Sequence, residues 1–67
     1  MALKVEFCYV YRVFEFEGPN KGVVFASTDE WKAREVSRQK YLPLQKVLAA
    51  YINGEYFMLG EKITLTR

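Results

Sequence analysis

The fold depends on residues 44–54, which read LQKVLAAYING and allow two interpretations. In a helix that begins after Pro43, the large apolar residues recur at i, i+3, i+4, i+7 and i+8, as Leu44, Val47, Leu48, Tyr51 and Ile52. In the alternative, residues 46–52 form a strand that turns at Asn53-Gly54, the strongest short hairpin signal, into a further strand over 55–59. We expect the helix, because alternation along a strand would divide these apolar residues between two faces.

The N-terminal residues predict a β-hairpin. Apolar and polar residues alternate from residue 3, and the apolar positions then change from odd to even at Phe14 and Phe16. Because one extra residue in a strand reverses its faces, we expect a bulge or sharp bend near residues 12–14. The sequence GPNKG at 18–22 predicts the turn, and 23–26 the second strand. Phe16 would then face Val23, and Phe14 would face Phe25.

The remaining elements complete an α+β domain over residues 1–67. A helix is expected over 29–40, capped by Ser27 or Thr28, with acidic residues in its first turn. Strands are expected at 55–59 and 62–67. The expected architecture is a small antiparallel sheet, built from the N-terminal hairpin and two C-terminal strands, with two short helices packed on one face. The expected core consists of Val5, Phe7, Tyr9, Phe14, Phe25, Val36, Leu44, Val47, Leu48, Ile52, Phe57 and Leu59.

Size and composition indicate a protein that associates with another macromolecule. The chain has 67 residues, of which 51% are hydrophobic and 16% aromatic, with a net charge of +2. So small a domain buries only about 60% of its unfolded surface, and much of this apolar content must stay outside. We therefore expect a homodimer or a hetero-complex. A nucleic-acid partner is less favoured because the charge is mild. A membrane is not expected, because the apolar runs are too short to cross a bilayer.

The residue types argue against catalysis. The sequence has no histidine, the residue that most often serves as general acid or base, and its one cysteine is Cys8. A His/Cys zinc site and a disulfide within the chain are therefore impossible. We expect a protein that is not an enzyme and that needs no cofactor or metal. The lone thiol, and an N-terminus without the pattern of a signal peptide, predict the cytoplasm.

The predicted first helix carries a candidate protein-binding surface. At 100° per residue, Trp31 projects away from Ala33 and Val36, and Arg34 and Arg38 lie on its side. Tryptophan beside arginine is the composition typical of interface hot spots. In the alternative interpretation, Trp31 folds back over the sheet edge, and the two arginines only keep the surface soluble.

Two further hypotheses concern the strands. Phe7, Tyr9 and Tyr11 line one face of the first strand, with Arg12 and Lys4 close by, and could stack unpaired bases, as aromatic residues do on RNA-binding sheets. Packing of these aromatic residues in the core is the alternative. A third hypothesis is a structural subunit that assembles through exposed strand edges.

Two segments resemble small bacteriophage proteins. Residues 41–54 (YLPLQKVLAAYING) resemble the corresponding region of the phage antitoxin family that blocks a host toxin ribonuclease. Ser27-Thr28-Asp29-Glu30 followed by Tyr41-Leu42-Pro43 is similar to small phage inhibitors of host RNA polymerase. Both resemblances imply an inhibitory protein that binds and occludes a host enzyme or defence factor in the host cytoplasm. Neither assigns a binding residue.

Overall fold

A computed structural model of the chain describes residues 4–19 and 21–66. Within them, five antiparallel strands form one sheet in the order β2-β1-β3-β4-β5, and a single helix lies between β2 and β3. The strands are β1 (Val5–Glu15), β2 (Gly22–Ser27), β3 (Leu44–Ile52), β4 (Glu55–Met58) and β5 (Glu61–Ile63), and the helix is α1 (Glu30–Lys40). The predicted strand ends at residues 3 and 67, and Asn20 of the predicted turn, lie outside the described residues.

The fold is mostly β, so the predicted α+β class with two helices is wrong. The segment expected to form the second helix is β3, which pairs with β1 at every position from Val5↔Ile52 to Val13↔Leu44. Asn53 and Gly54 have φ angles of 50° and 83° and join β3 to β4. Positive φ at both residues is what a type I′ hairpin turn requires. This turn and the long pairing with β1 outweigh the helical spacing of the apolar residues.

The helix predicted over 29–40 is confirmed as α1, with a different cap. The Asp29 carboxylate accepts hydrogen bonds from the backbone N–H groups of Trp31 at 3.0 Å and Lys32 at 3.3 Å. The Ser27 hydroxyl, expected as a cap, instead accepts from the Asp29 N–H at 3.0 Å. The helix ends at Tyr41, whose φ of 55° is left-handed.

The N-terminal hairpin is confirmed, and so is a bulge close to its predicted place. The register between β1 and β2 shifts between Val13, which pairs with Phe25, and Phe14, which pairs with Val23. The extra residue is therefore Val24 on β2 and not a residue of β1. As a result, the expected pairs of Phe16 with Val23 and of Phe14 with Phe25 are wrong.

The sheet curls around a small interior. Its inner face buries Val10, Ala26, Ala49 and Ile63, and the half-buried Val47, Tyr56, Met58 and Leu65 pack against them. The two edges of the curl meet where the segment after β5 reaches β2. There the Thr66 N–H donates to the Ala26 carbonyl at 2.7 Å, and the Ala26 N–H donates to the Thr66 hydroxyl at 3.0 Å. The curl is thus closed by hydrogen bonds at one point.

The outer face of the sheet is covered at one end only. Helix α1 packs on β1, β2 and β3, and Val13 and Ala33 are fully buried without belonging to the inner cluster. Val13 shares its side of β1 with Phe7 and Tyr9, since side chains alternate along a strand. The helix therefore shields the Val13 end of this face and leaves the other end of β1 open.

The predicted core is wrong. None of the twelve expected residues is fully buried, and five of them are exposed. The exposed five are Val5, Phe7, Tyr9, Leu48 and Leu59, and the other seven, partly buried, are Phe14, Phe25, Val36, Leu44, Val47, Ile52 and Phe57. The prediction placed the largest apolar side chains inside, whereas the curl is so tight that its interior takes alanine, valine and one isoleucine.

Candidate binding surfaces

The predicted protein-binding residues lie together on α1. Trp31, Arg34, Glu35 and Arg38 line one shallow depression, which we call the helix surface. The Trp31 side chain is 79% exposed, so it does not fold back over the sheet edge. Arg34 donates through Nε to the Glu30 carboxylate at 2.6 Å, one turn earlier. This bond restricts the Arg34 guanidinium, which lines the same depression as Trp31.

The local sequence explains why Trp31 points outward. Asp29 fixes the start of the helix by capping Trp31 and Lys32. Ala33, two residues later, is the buried contact of α1 with the sheet. Two residues correspond to 200° around a helix, so the side that buries Ala33 turns Trp31 toward solvent.

A second surface lies on the open end of the outer face. Val5, Phe7 and Tyr9 on β1 and Leu48 on β3 are 43%, 69%, 49% and 54% exposed, and we call them the outer sheet surface. The register places Tyr9 directly opposite Leu48. At its border, the Lys46 ammonium lies 4.1 Å from the centroid of the Tyr9 ring, a cation–π contact. The surface is therefore apolar and aromatic, with one positive charge at its edge.

The residues predicted to bind nucleic acid are divided between two faces. Tyr9 and the half-buried Tyr11 are on the outer side of β1, whereas Arg12 is on the inner side. Arg12 donates to the Gln45 side chain at 2.7 Å and lies 5.1 Å from the centroid of the Phe14 ring. The structure therefore does not bring Arg12 to the two tyrosines.

Sequence reasoning placed Phe7 on the same face as Tyr9 and Tyr11 but missed Leu48 and Lys46 as functional candidates. Lys46 and Leu48 gave no signal, because their place beside Tyr9 follows from the β1–β3 register, and the prediction assigned them to a helix.

A smaller apolar surface surrounds the β1–β2 bulge. The rings of Phe14 and Phe16 are stacked, with centroids 6.2 Å apart. Together with Pro43, Leu44 and Gln45 they line a shallow depression. Phe16 is 70% exposed, so a large apolar side chain meets water here as well.

The described part of the chain contains no group of three or more His, Cys, Asp or Glu side chains placed to hold a metal ion. Burial raises the pKa of the Tyr56 hydroxyl above its usual value, and repulsion from ionised Cys8 and Tyr51 adds to this. Tyr56 lies on the inner face against Tyr51, with ring centroids 4.8 Å apart, and so belongs to the packing of the curl.

Comparison with known proteins identifies no related protein. No family profile, curated protein sequence or solved structure matches the chain. Among the described residues, no helix is long and apolar enough to cross a membrane.

Proposed function

We propose that the chain is a non-enzymatic binding protein that contacts a partner protein through the helix surface. The observation that supports this proposal best is the exposure of Trp31, 79% of whose side chain meets solvent. Tryptophan is the largest apolar side chain, and burying an aromatic ring of this kind removes about 150–250 Å² from water. A partner that covers Trp31 therefore gains more apolar contact there than at any other single residue of the helix.

The arginines near Trp31 add hydrogen-bond donors that orient a bound partner. The bond between Arg34 and Glu30 restricts the guanidinium, so less side-chain freedom is lost when a partner binds. Arg38 forms no ion pair with a described residue, and its planar group is available for a carboxylate or a backbone carbonyl. The surface therefore fits a partner that offers an apolar pocket with acidic or carbonyl oxygens at its rim.

The biological setting of the proposal rests on the resemblance to phage proteins. We infer an inhibitor, encoded by a bacteriophage, that occludes a host enzyme or defence factor in the host cytoplasm. The lone thiol of Cys8 suits a reducing compartment. Occlusion needs no catalytic group, because it acts only by covering the surface that the partner uses.

Affinity capture with a variant that removes the contact tests the proposed surface. The immobilised chain should capture its partner from a host-cell lysate, and mass spectrometry then identifies that protein. The double variant Trp31→Ala, Arg38→Ala should bind the purified partner at least about 30-fold more weakly, which corresponds to about 2 kcal/mol. Its urea-unfolding midpoint should stay close to that of the original chain, because both side chains are exposed.

A matched control lies on the same helix. Lys32 and Gln39 are exposed and project about 90° away from Trp31. The variant Lys32→Ala, Gln39→Ala should keep the original affinity. Equal affinity for all three proteins, or unfolding of the Trp31 variant, would show that the helix surface is not the binding site.

A second candidate function is supported by the outer sheet surface. Phe7 and Tyr9 are exposed two residues apart on an open sheet, and Lys46 lies against the Tyr9 ring. Exposed rings with a nearby cation can stack on the bases of a single strand and hold its phosphate. This proposal replaces Arg12, which lies on the other face, with Lys46.

Titration with a labelled single-stranded oligonucleotide at two salt concentrations tests this second function. Binding through Lys46 and the rings should weaken as salt rises and should be lost in Tyr9→Ala. Tyr41→Ala is a matched control, since Tyr41 is 94% exposed and lies outside the sheet. Absence of binding at low salt would contradict this second function.

A further inference from the structure

Half of β1 has a strand partner on only one of its edges. Strand β3 pairs with β1 from Val5 to Val13. Strand β2, on the other edge, pairs only from Tyr11 to Glu15. Among the described residues, the edge of residues 5–9 that faces away from β3 is therefore unpaired, although it continues directly from a formed hairpin.

The hydrogen-bonding direction of this free edge follows from one bond. The Phe14 N–H donates to the Pro43 carbonyl, on the β3 side, at 3.1 Å. Backbone groups alternate along a strand, so the even-numbered residues of β1 bond toward β3. Val5, Phe7 and Tyr9 must therefore direct their N–H and C=O groups to the free edge.

The free edge lacks the features that normally prevent pairing with another chain. Proteins protect such edges with proline, a bulge or a charged side chain. The bulge lies beyond this segment, at Val13 and Phe14, and residues 4–10 contain no proline. The two charges present, Lys4 and Glu6, form an ion pair with each other at 3.1 Å. The pair therefore carries no net charge, although two Glu6 carboxylates placed directly opposite each other would still repel.

We propose that a second copy of this chain pairs with the free edge, antiparallel and about a two-fold axis at Phe7. Phe7 then lies opposite Phe7 of the other copy, and Val5 lies opposite Tyr9. These are aromatic–aromatic and aromatic–β-branched pairs, both favourable across strands. Every backbone group that Val5, Phe7 and Tyr9 direct outward finds a partner. A two-fold contact of this kind is self-complementary and closes as a dimer.

Neighbouring registers are less favourable. A shift by one residue pair toward the N-terminus sets Glu6 opposite Glu6, which places like charges together. A shift in the other direction requires Tyr11, whose outward groups already face Ser27 of β2. The register centred on Phe7 thus pairs all the free backbone groups of Val5, Phe7 and Tyr9. It avoids the repulsion between two Glu6 side chains and the conflict with β2 at Tyr11. Since a short edge buries little area, we expect a weak dimer that dissociates on dilution.

Sedimentation velocity over a range of concentrations tests the dimer. The chain should change from monomer to dimer between about 5 and about 500 µM, the range of a small interface. Phe7→Lys puts two ammonium groups opposite each other and should stay monomeric throughout. Leu48→Lys is the matched control, because it places the same charge on the same face of the sheet but on β3, which covers the other edge of β1. It should still dimerise.

Two outcomes of this experiment overturn the proposal. In the first, the original chain stays monomeric at the highest concentration. The same result is expected if the free edge binds a different protein instead of a second copy. In the second, Leu48→Lys abolishes the dimer as fully as Phe7→Lys, which indicates faces rather than edges in contact. Trp31→Ala, Arg38→Ala should dimerise normally, so this test is independent of the proposed partner-binding function.

Disulfide crosslinking tests the register. In the proposed dimer, residue 6 of one copy lies opposite Cys8 of the other as a non-hydrogen-bonded pair, with Cα atoms about 4.5 Å apart. That distance is within the range of disulfides. Glu6→Cys should therefore give a covalent dimer under mild oxidation, whereas Glu35→Cys, on the helix, should crosslink no more than the original chain. Crosslinking of the original chain through Cys8 alone, without a gain in Glu6→Cys, would contradict this register.

Discussion

The two faces of the sheet use apolar residues in opposite ways. The inner face is filled by small side chains, Val10, Ala26, Ala49 and Ile63, which are at most 9% exposed. The outer face carries large ones, of which Phe7 at 69% and Leu48 at 54% remain open to solvent. In this comparison the fully buried apolar side chains are the smaller ones. We conclude that the inner face holds this part of the fold together, and we propose that the large outer residues serve association.

The comparison is sharpest along β1 and β3, where neighbouring residues belong to different faces. Val10 is fully buried, whereas Val5 on the same strand is 43% exposed. Ala49 is fully buried, whereas Ala50 next to it lies on the outer side. Substitutions at such pairs change the face while the strand and the residue type stay the same.

The largest difference is expected for a charge placed on each face. Val10→Asp buries a carboxylate without a partner and should cost about 3–5 kcal/mol, enough to unfold a domain of this size. Val5→Asp should cost no more than about 1 kcal/mol, which is the low strand preference of aspartate. Far-ultraviolet circular dichroism with urea titration measures both. If the two variants lose the same stability, the faces do not differ as described.

The next largest difference in unfolding free energy is expected when a small side chain on each face is replaced by a larger one. Ala49→Leu overfills the interior and should cost about 1–3 kcal/mol of unfolding free energy. Ala50→Leu, one residue further, adds the same volume on the outer face, where Ala50 is half-buried, and should cost less than Ala49→Leu. Urea unfolding of the two variants measures the effect, and a stable Ala49→Leu would show that the interior is not tightly packed.

The turn after β4 holds an outer residue that should oppose stability. Leu59 is 96% exposed and has a φ of 51°, in the left-handed region. A branched side chain is strained there, whereas asparagine accepts this conformation. Leu59→Asn should therefore raise the unfolding free energy by about 0.5–1 kcal/mol. Leu59→Val, which keeps the strain, is the control and should not stabilise. Lower stability in Leu59→Asn would mean that the leucine has a structural contact.

The smallest effect should come from pH. Since the pKa of Tyr56 is raised in the folded state, the unfolded chain loses this proton first as pH rises. Stability from this group is complete below about pH 10 and falls above it. Between about pH 9 and pH 11, the melting temperature of Tyr56→Phe should fall less than that of the original chain. Tyr41→Phe, at a position that is 94% exposed, should behave like the original, and equal losses in all three would contradict the assignment.

Local signals in the sequence predicted part of this fold correctly. The capping residues and acidic first turn located α1, and the GPNKG turn located the hairpin of β1 and β2. The change of apolar parity at Phe14 predicted a bulge close to the observed one, although the extra residue is on β2 and not on β1. These features depend on residues close together in the chain, which is why pattern reasoning reached them.

The errors arose where distant residues decide the structure. In β3, Leu44, Leu48 and Ile52 lie on one face, with Val47 and Tyr51 on the other. Both faces carry apolar groups, so the alternation typical of a strand is not visible. The same two-sided distribution misplaced the core, because nothing local shows which face curls inward. The outer sheet surface could therefore not be assembled before the β1–β3 register was known.

The most direct test of the central claim is the unfolding free energy of Phe7→Thr, Leu48→Thr in dilute solution, where the chain is monomeric. Threonine keeps a high strand preference and removes most of the outer apolar surface. We predict a loss of less than about 1 kcal/mol, because the open end of this face does not hold the fold together. A loss of about 3 kcal/mol or more, as expected for removing core residues, would show that the open end of the outer face is part of the core and would contradict the account.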